Sequence, residues 1–109
     1  MKDYSKEIKE LIEKYKEKEF EYGKPIDFLL SRIKASKKEV EEEIINCKDL
    51  KFVEKQERKG EVRYVLYFVY SRSNGRAYVI TFTNKIIIIT IYPLGRKTLK
   101  KYRKGRFKK

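Results

Sequence analysis

The chain has no histidine, no tryptophan and a single cysteine, Cys47, among its 109 residues. The absence of histidine removes the commonest general base and the commonest nitrogen ligand for metals. One cysteine forms no internal disulfide and supplies too few thiolates for a zinc site, and it suits a reducing cytoplasm. We therefore expect no metal and no cofactor. The abundance of Lys, Glu and Ile is compatible with a thermophilic source.

Acidic side chains are missing from the second part of the chain. Residues 62–109 hold 13 of the 29 Lys and Arg residues and none of the 16 Asp and Glu residues. A magnesium–carboxylate nuclease site cannot form from these residues alone, so chemistry there depends on Arg, Lys, Tyr, Ser or Thr. A one-sided positive field attracts polyanions. We expect a nucleic-acid partner, and an acidic membrane surface is the main alternative on charge alone.

Long apolar runs are also missing. No run approaches the ~18 residues that would span a membrane, and the start, MKDYSKEIKE, lacks the apolar stretch of a signal peptide. We expect a cytoplasmic protein that is not inserted in a membrane. The length fits one domain, divided into an added N-terminal helix (residues 1–22), an α+β core (23–95) and a basic C-terminal segment (96–109).

Three helices are predicted in the first half. Residues 3–21 carry an apolar stripe at helical spacing, formed by Ile8, Leu11, Ile12 and Tyr15. Residues 25–34 predict a second, short helix that begins at a proline. SKKE is a capping box that opens a third helix, with Ser36 as N-cap and Glu39 three residues later. Cys47 falls on the inner side of this helix, as a core residue.

The hydrophobic period changes to that of strands from residue 50. LKFVEKQ (50–56) predicts a short edge strand, and VRYVLYFVY (62–70), RAYVITFT (76–83) and IIIITIY (86–92) predict three more. SRSNG forms one turn, and NK forms a tight two-residue turn. The sequence therefore predicts an α+β domain in which three N-terminal helices pack on one face of a three- or four-stranded antiparallel meander, followed by a basic tail.

Alternation along the strands assigns two faces to the sheet. If the NK turn is tight, Ile80 lies opposite Ile89 and Tyr78 lies opposite Ile91. If Tyr70 lies opposite Arg76, then Leu66 faces Ile80. The helix-facing side then holds Val62, Tyr64, Leu66, Phe68, Tyr78, Ile80, Phe82, Ile87, Ile89 and Ile91. The other side has small, hydroxyl and cationic side chains, including Arg63, Tyr67 and Tyr92, and we expect it to stay open to a partner.

The candidate contacts to nucleic acid are Arg, Lys and Tyr residues. Arg forks bind phosphate bidentately, and Tyr rings stack on bases. These candidates are Arg32, Tyr67, Arg72, Tyr92, Lys97, Lys100, Lys101, Arg103, Lys104 and Arg106. Cross-strand packing is the alternative role for Tyr67, and a solvated or ion-paired strand position is the alternative for Arg63 and Arg76. The end of the chain, YRKGRFKK, is expected to act mainly through its charge.

Two stretches resemble a known family. RIKASKKEV (residues 32–40) is similar to the helical start, and IIIITIYPLGRK (86–97) to the Ile-x-x-Ile-Thr-x-Tyr-Pro-x-x-Arg-Arg finish, of a short, largely uncharacterised branch of the RelE-like toxin superfamily of small ribonucleases. The resemblance covers roughly residues 26–102 and includes the helix–helix–strand–strand–strand order. Phe28 stands where the branch often has a histidine.

The resemblance implies RNA cleavage without metal or histidine. An RNA 2′-OH would attack the adjacent phosphate, and Arg96 with a strand arginine, Arg63 or Arg76, would stabilise the phosphorane. Tyr102 would act as acid or base if its pKa were substantially lowered. The resemblance also implies RNA, free or ribosome-bound, as the substrate and a protein antitoxin as the partner.

Three functions stay open from the sequence. The first is a RelE-like metal-independent endoribonuclease, the toxin of a toxin–antitoxin pair. The second is a non-catalytic nucleic-acid-binding protein that uses the basic sheet surface and the C-terminal tail. The third is a protein-interaction module whose basic end meets an acidic partner.

Overall fold

The protein folds as an α+β domain, seen in a computed structural model that describes residues 2–103, with the backbone alone for Thr98 and residues 101–103. The helices are α1 (Ser5–Tyr15), α2 (Ile26–Ser31), α3 (Lys37–Asn46) and α4 (Arg96–Arg103). The strands are β1 (Glu21–Tyr22), β2 (Leu50–Arg58), β3 (Glu61–Val69), β4 (Gly75–Phe82) and β5 (Ile86–Leu94). They form one sheet in the order β1-β5-β4-β3-β2. Within the described residues, no helix is long and apolar enough to cross a membrane.

The predicted architecture is confirmed. Three N-terminal helices lie on one face of the sheet, and β2 to β5 form an antiparallel meander with β2 at one edge. The start of α3 is also as predicted, because the Ser36 hydroxyl accepts a hydrogen bond of 3.1 Å from the Glu39 backbone N–H. That bond satisfies one of the amides that a helix N-terminus leaves unpaired.

The main core lies between the three helices and the sheet. The apolar stripe of α1 contributes Ile8 and Ile12, both buried, while Leu11 and Tyr15 pack against them half-buried. The sheet contributes a row of large buried side chains, formed by Leu66, Phe68, Tyr78, Ile80, Ile88 and Ile91. Burial of this apolar surface is the main term that stabilises the fold.

The first helix is shorter than predicted, and a strand follows it. α1 ends at Tyr15 rather than near residue 21, because the apolar period stops there and Lys18 and Glu19 take the next inward positions. Residues 21–22 instead form β1, which pairs in parallel with β5 through Tyr22 and Ile88. The pairing with β5, a strand far along the chain, overrides the local helical preference of these residues.

The prediction of a tight two-residue turn between β4 and β5 is wrong. The side chains at the start of β5 therefore point to the opposite face of the sheet from the predicted one. The loop has three residues, 83–85, closed by a 3.1 Å hydrogen bond from Thr83 N to Lys85 O. Ile80 therefore pairs with Ile88 rather than Ile89, and Ile88 faces the helices. An irregularity between Val79 and Ile80 then restores the predicted pairing of Tyr78 with Ile91.

The pairing of β3 with β4 is shifted by two residues from the predicted register. Phe68, not Tyr70, lies opposite Arg76, and Leu66 lies opposite Tyr78. A shift of two keeps every side chain on its predicted face, because side chains alternate with a period of two. The helix-facing assignment of Leu66, Phe68 and Tyr78 is therefore confirmed.

The second face of the sheet is partly covered, contrary to the expectation that it stays open. The start of the basic segment forms α4, whose Leu99 is buried in a second cluster. The sheet residues of that cluster are Val65, Ala77, Val79 and Leu94. A single apolar residue in a cationic stretch thus anchors a helix that the sequence pattern did not indicate.

We expect Gly75→Ala to lower the free energy of unfolding by about 1–3 kcal/mol, the ordinary range for a buried position that must shift. A Cβ at Gly75 would lie 2.7 Å from the backbone oxygen of Phe68 and 3.0 Å from Leu94 Cδ1. Chemical denaturation measures the change. Gly95→Ala is the matched control, because its added Cβ meets nothing within 4 Å. Equal losses in the two variants would contradict the packing argument.

Candidate nucleic-acid interface

One carboxylate contacts three side chains at the end of the sheet where β3 is followed by β4. Glu43, on α3, accepts hydrogen bonds from the hydroxyls of Tyr70 and Tyr78, one on each oxygen. Arg76 Nη1 lies 3.6 Å from Glu43 Oε1 and 3.4 Å from the Tyr78 oxygen. The Glu43 side chain is 16% exposed. A largely buried negative charge therefore holds two phenols and a guanidinium in place.

The tyrosines of this cluster are held in the protonated form. Burial and the hydrogen bond to Glu43 raise the pKa of Tyr70 well above its ordinary value of 10. Burial likewise raises the pKa of Tyr78, and the bond to Glu43 adds to the effect. Both hydroxyls are therefore donors at neutral pH, and neither is a base.

Arg76 also lines a groove of about 350 Å³. Arg32 and Lys34, which follow α2, supply two more cations, and Gly75 and Pro93 are among the other lining residues. Lys34 has a φ of 52°, and its N–H bonds the Leu30 carbonyl, so it ends the helical turn. Among the described residues, none that lines the groove carries a carboxylate. The groove is therefore a suitable site for an anion.

Two exposed aromatic rings accompany the groove's arginines. Phe28 is 49% exposed and Tyr70 is 40% exposed. The guanidinium of Arg32 lies 4.7 Å from the Phe28 ring centroid, and that of Arg76 lies 5.5 Å from the Tyr70 centroid. Arg32 also donates through Nη1 to the Ile91 carbonyl at 3.4 Å. Each guanidinium is thus positioned by a ring while its remaining N–H donors stay available.

Arg63 and Arg76, the two candidate strand arginines, are not brought together. Arg63 lies on the second face, where its Nε is 3.1 Å from Glu61 Oε1. It lines a different groove of about 600 Å³ with Thr81 and other residues. Thr81 and Arg76 are five residues apart on β4, which is roughly 17 Å along a strand. One phosphate therefore cannot touch both arginines.

Tyr67 and Tyr92 lie on the second face with Ala77 between them. Burial raises the pKa of both tyrosines. Both rings pack half-buried against the cluster that contains Leu99. This pair supports the docking of α4 and offers less open ring surface than Phe28 and Tyr70.

Most of the remaining predicted contacts lie on α4. Arg96, Lys97 and Lys100 are exposed there, and no carboxylate among the described side chains forms an ion pair with them. Lys101, Tyr102 and Arg103 belong to its last turn, where the backbone alone is described; Lys104 and Arg106 lie outside the described residues. Arg72 lies on the exposed turn between β3 and β4. In residues 2–103, no three Asp, Glu or Cys side chains group as metal ligands.

Sequence reasoning missed Phe28, Lys34, Glu43 and Tyr70 as members of the site. A signal for Glu43 was available, since it lies three residues after Val40, on the inner side of α3, where an acid needs a partner. The aromatic pair had no such signal. Phe28 and Tyr70 become neighbours of one groove only after α2 packs on the sheet.

We expect Glu43→Gln to lower the free energy of unfolding by about 2–3 kcal/mol, because it removes a charged acceptor and leaves Arg76 without its counter-ion. Chemical denaturation measures this loss. Absorbance at 295 nm should also show Tyr70 and Tyr78 ionising at lower pH than in the parent.

Glu42→Gln is the matched control on the same helix. Its side chain is 59% exposed and lies 4.0 Å from Lys38, so we expect a change of less than about 0.5 kcal/mol. If Glu43→Gln were equally neutral, the central role of that carboxylate would be refuted.

Comparison with known proteins identifies no family for this chain. No protein-family model, curated protein or solved structure matches the chain. The RelE-like resemblance therefore stays a prediction carried by residues 32–40 and 86–97. The function has to be inferred from the groove, its rings and the unpaired charges of α4.

Proposed function

We propose that this protein binds RNA, with the groove at Arg32, Lys34 and Arg76 as the main phosphate site. The observation that carries the proposal is the convergence of three cations on one groove that no described carboxylate lines. Two of the cations are guanidiniums that rings already hold in position. A pre-positioned guanidinium loses little side-chain entropy when it binds a phosphate.

The exposed cations of α4 provide a second set of contacts. Arg96 begins the helix just after β5, and Pro93 on β5 lines the groove. An RNA strand held in the groove would therefore lie close to the start of α4. Lys97 and Lys100 extend the positive surface along that helix. Contacts of this kind give affinity without sequence specificity, because every nucleotide carries the same phosphate.

We expect the affinity for a single-stranded oligonucleotide to fall steeply with salt, with each lost phosphate contact reducing the slope of log K against log salt by about 0.7. Lys97→Gln and Lys100→Gln should each reduce the slope by about that amount, and Arg32→Gln should also weaken binding. Fluorescence anisotropy at several salt concentrations measures the slope.

Lys14→Gln on α1 is the matched control and should leave the slope unchanged. Lys14 is exposed, and it is neither among the residues that line the groove nor part of α4. A wild-type slope near zero would refute the proposal, since binding would then involve no release of counter-ions. Equal effects of Lys14→Gln and Lys97→Gln would show that only total charge matters.

RelE-like RNA cleavage is the second candidate function, and with it the cellular role of a toxin held by an antitoxin. The element order α2-α3-β2-β3-β4-β5 contains the order on which the resemblance is based. Arg76, one of the expected catalytic arginines, lines the groove beside Arg32. Two guanidiniums there would stabilise the phosphorane formed when a 2′-OH attacks the adjacent phosphate.

We expect Arg96→Ala to abolish RNA cleavage while retaining most RNA binding, if cleavage is the activity. The assay uses single-stranded and ribosome-bound RNA in EDTA, with product sizes read on a gel. Lys14→Ala should cleave at the wild-type rate. If the wild-type protein cut neither substrate, the enzymatic proposal would fall and the binding proposal would stand.

A further inference from the structure

We infer that the rings of Phe28 and Tyr70 stack on unpaired bases, so that the groove takes single-stranded RNA and excludes a duplex. The inference rests on the proposed function and names the ligand of the same groove. Of the described aromatic side chains, these two are the exposed ones, at 49% and 40%. Both belong to the same small region, since each has an arginine of the groove against it.

The exposure of these rings has no evident structural purpose. The neighbouring Leu29 on α2 is fully buried, so α2 is already anchored in the core without Phe28. Tyr70 likewise follows Phe68, which is fully buried on the same face. Exposed aromatic surface beside fixed cations is the composition of a single-strand site, where rings meet base faces and cations meet phosphates.

Tyr70 is held in one orientation before any ligand binds. Its hydroxyl donates to Glu43, so one end of the ring is fixed, while the residue as a whole stays 40% exposed. Phe28 on α2 is held by the guanidinium of Arg32, which lies four residues later, directly after the helix. Rings that are fixed before binding lose little freedom when a base stacks on them.

The size of the groove and the geometry of RNA agree with this ligand. A volume of about 350 Å³ is at the lower end of small-ligand pockets, which suits a unit as small as one nucleotide. In an A-form duplex the base faces are covered by their neighbours, so the rings have nothing to stack on. A single strand offers base faces and phosphates together.

The test compares a short oligouridylate with an oligomer of equal length and charge whose sugars carry no bases. We expect the wild-type protein to bind the base-containing strand about five- to fiftyfold more tightly, from one or two stacked bases. Phe28→Ala should lower this ratio by about fivefold or more, the share of one stacked base, and leave the salt slope unchanged. Phe28→Ala should leave the affinity for an RNA duplex unchanged, because the base faces of a duplex are covered by their neighbours.

Two further variants distinguish the loss of stacking from a loss of folding. Tyr70→Phe keeps the ring but loses the bond to Glu43 that orients it, so it should retain only part of the preference for bases. Phe28→Leu keeps an apolar side chain and loses the ring, and it should behave like Phe28→Ala. Denaturation midpoints confirm that each variant is folded, and the 49% exposure of Phe28 makes its substitution well tolerated.

The outcomes separate the two proposals. If wild-type protein binds both oligomers equally, with a steep salt dependence, the stacking inference is overturned and RNA binding stands. The stacking inference is also overturned, with RNA binding intact, if Phe28→Ala keeps the full preference for bases. If wild-type protein binds neither oligomer, the proposed function fails and the inference fails with it.

Discussion

The carboxylate of Glu43 makes the contacts on which the structure around the groove depends. It comes from the acid-rich first half of the chain, and it holds three groups of the acid-free second half: Tyr70, Tyr78 and Arg76. Tyr78 is fully buried, so its hydroxyl needs a partner inside the protein. The same kind of contact recurs where Tyr22 donates to Glu41 at 2.6 Å and where Tyr64 donates to Glu7. The helices are therefore docked on the sheet by carboxylate–phenol hydrogen bonds as well as by apolar packing, and these bonds fix their position along the strands.

This docking turns an uneven charge along the sequence into an uneven charge in space. Acids of the first part meet Arg76 on the helix face and Arg63 at the β2–β3 edge. No such partner lies within ion-pair distance of the exposed α4 residues Arg96, Lys97 and Lys100 among the described side chains. The groove also stays positive, since Glu43 is shared and no carboxylate in the described part of the chain forms an ion pair with Arg32 or Lys34. Positive charge is thus left unpaired at the groove and on α4, and both places lie near the end of β5.

Local patterns predicted the parts of the fold that local interactions form. The cap at Ser36 and the long strands β3 and β4 follow from side chains next to each other in sequence. The parts that were missed depend on distant partners. β1 has two residues and exists because it pairs with β5, and α4 is anchored through Leu99 on a sheet face. The groove is the extreme case, because Arg32 and Arg76 come from α2 and β4 and meet only in the folded chain. Single residues on strands and tails could be proposed as contacts from the sequence, whereas the set that lines one groove could not.

The chemistry of the groove favours binding over cleavage by its own residues. Attack by a 2′-OH needs a proton acceptor as well as cations that stabilise the phosphorane. Arg32 and Arg76 supply the cations, but Tyr70 is kept protonated because its pKa is raised by burial and by Glu43. Both oxygens of the Glu43 carboxylate already accept hydrogen bonds from phenols within the protein. By its own residues the groove is therefore suited to holding and orienting an RNA strand rather than to cleaving it. Cleavage requires an acceptor from elsewhere, and Tyr102, six residues after Arg96 on α4, is the candidate that the sequence offers.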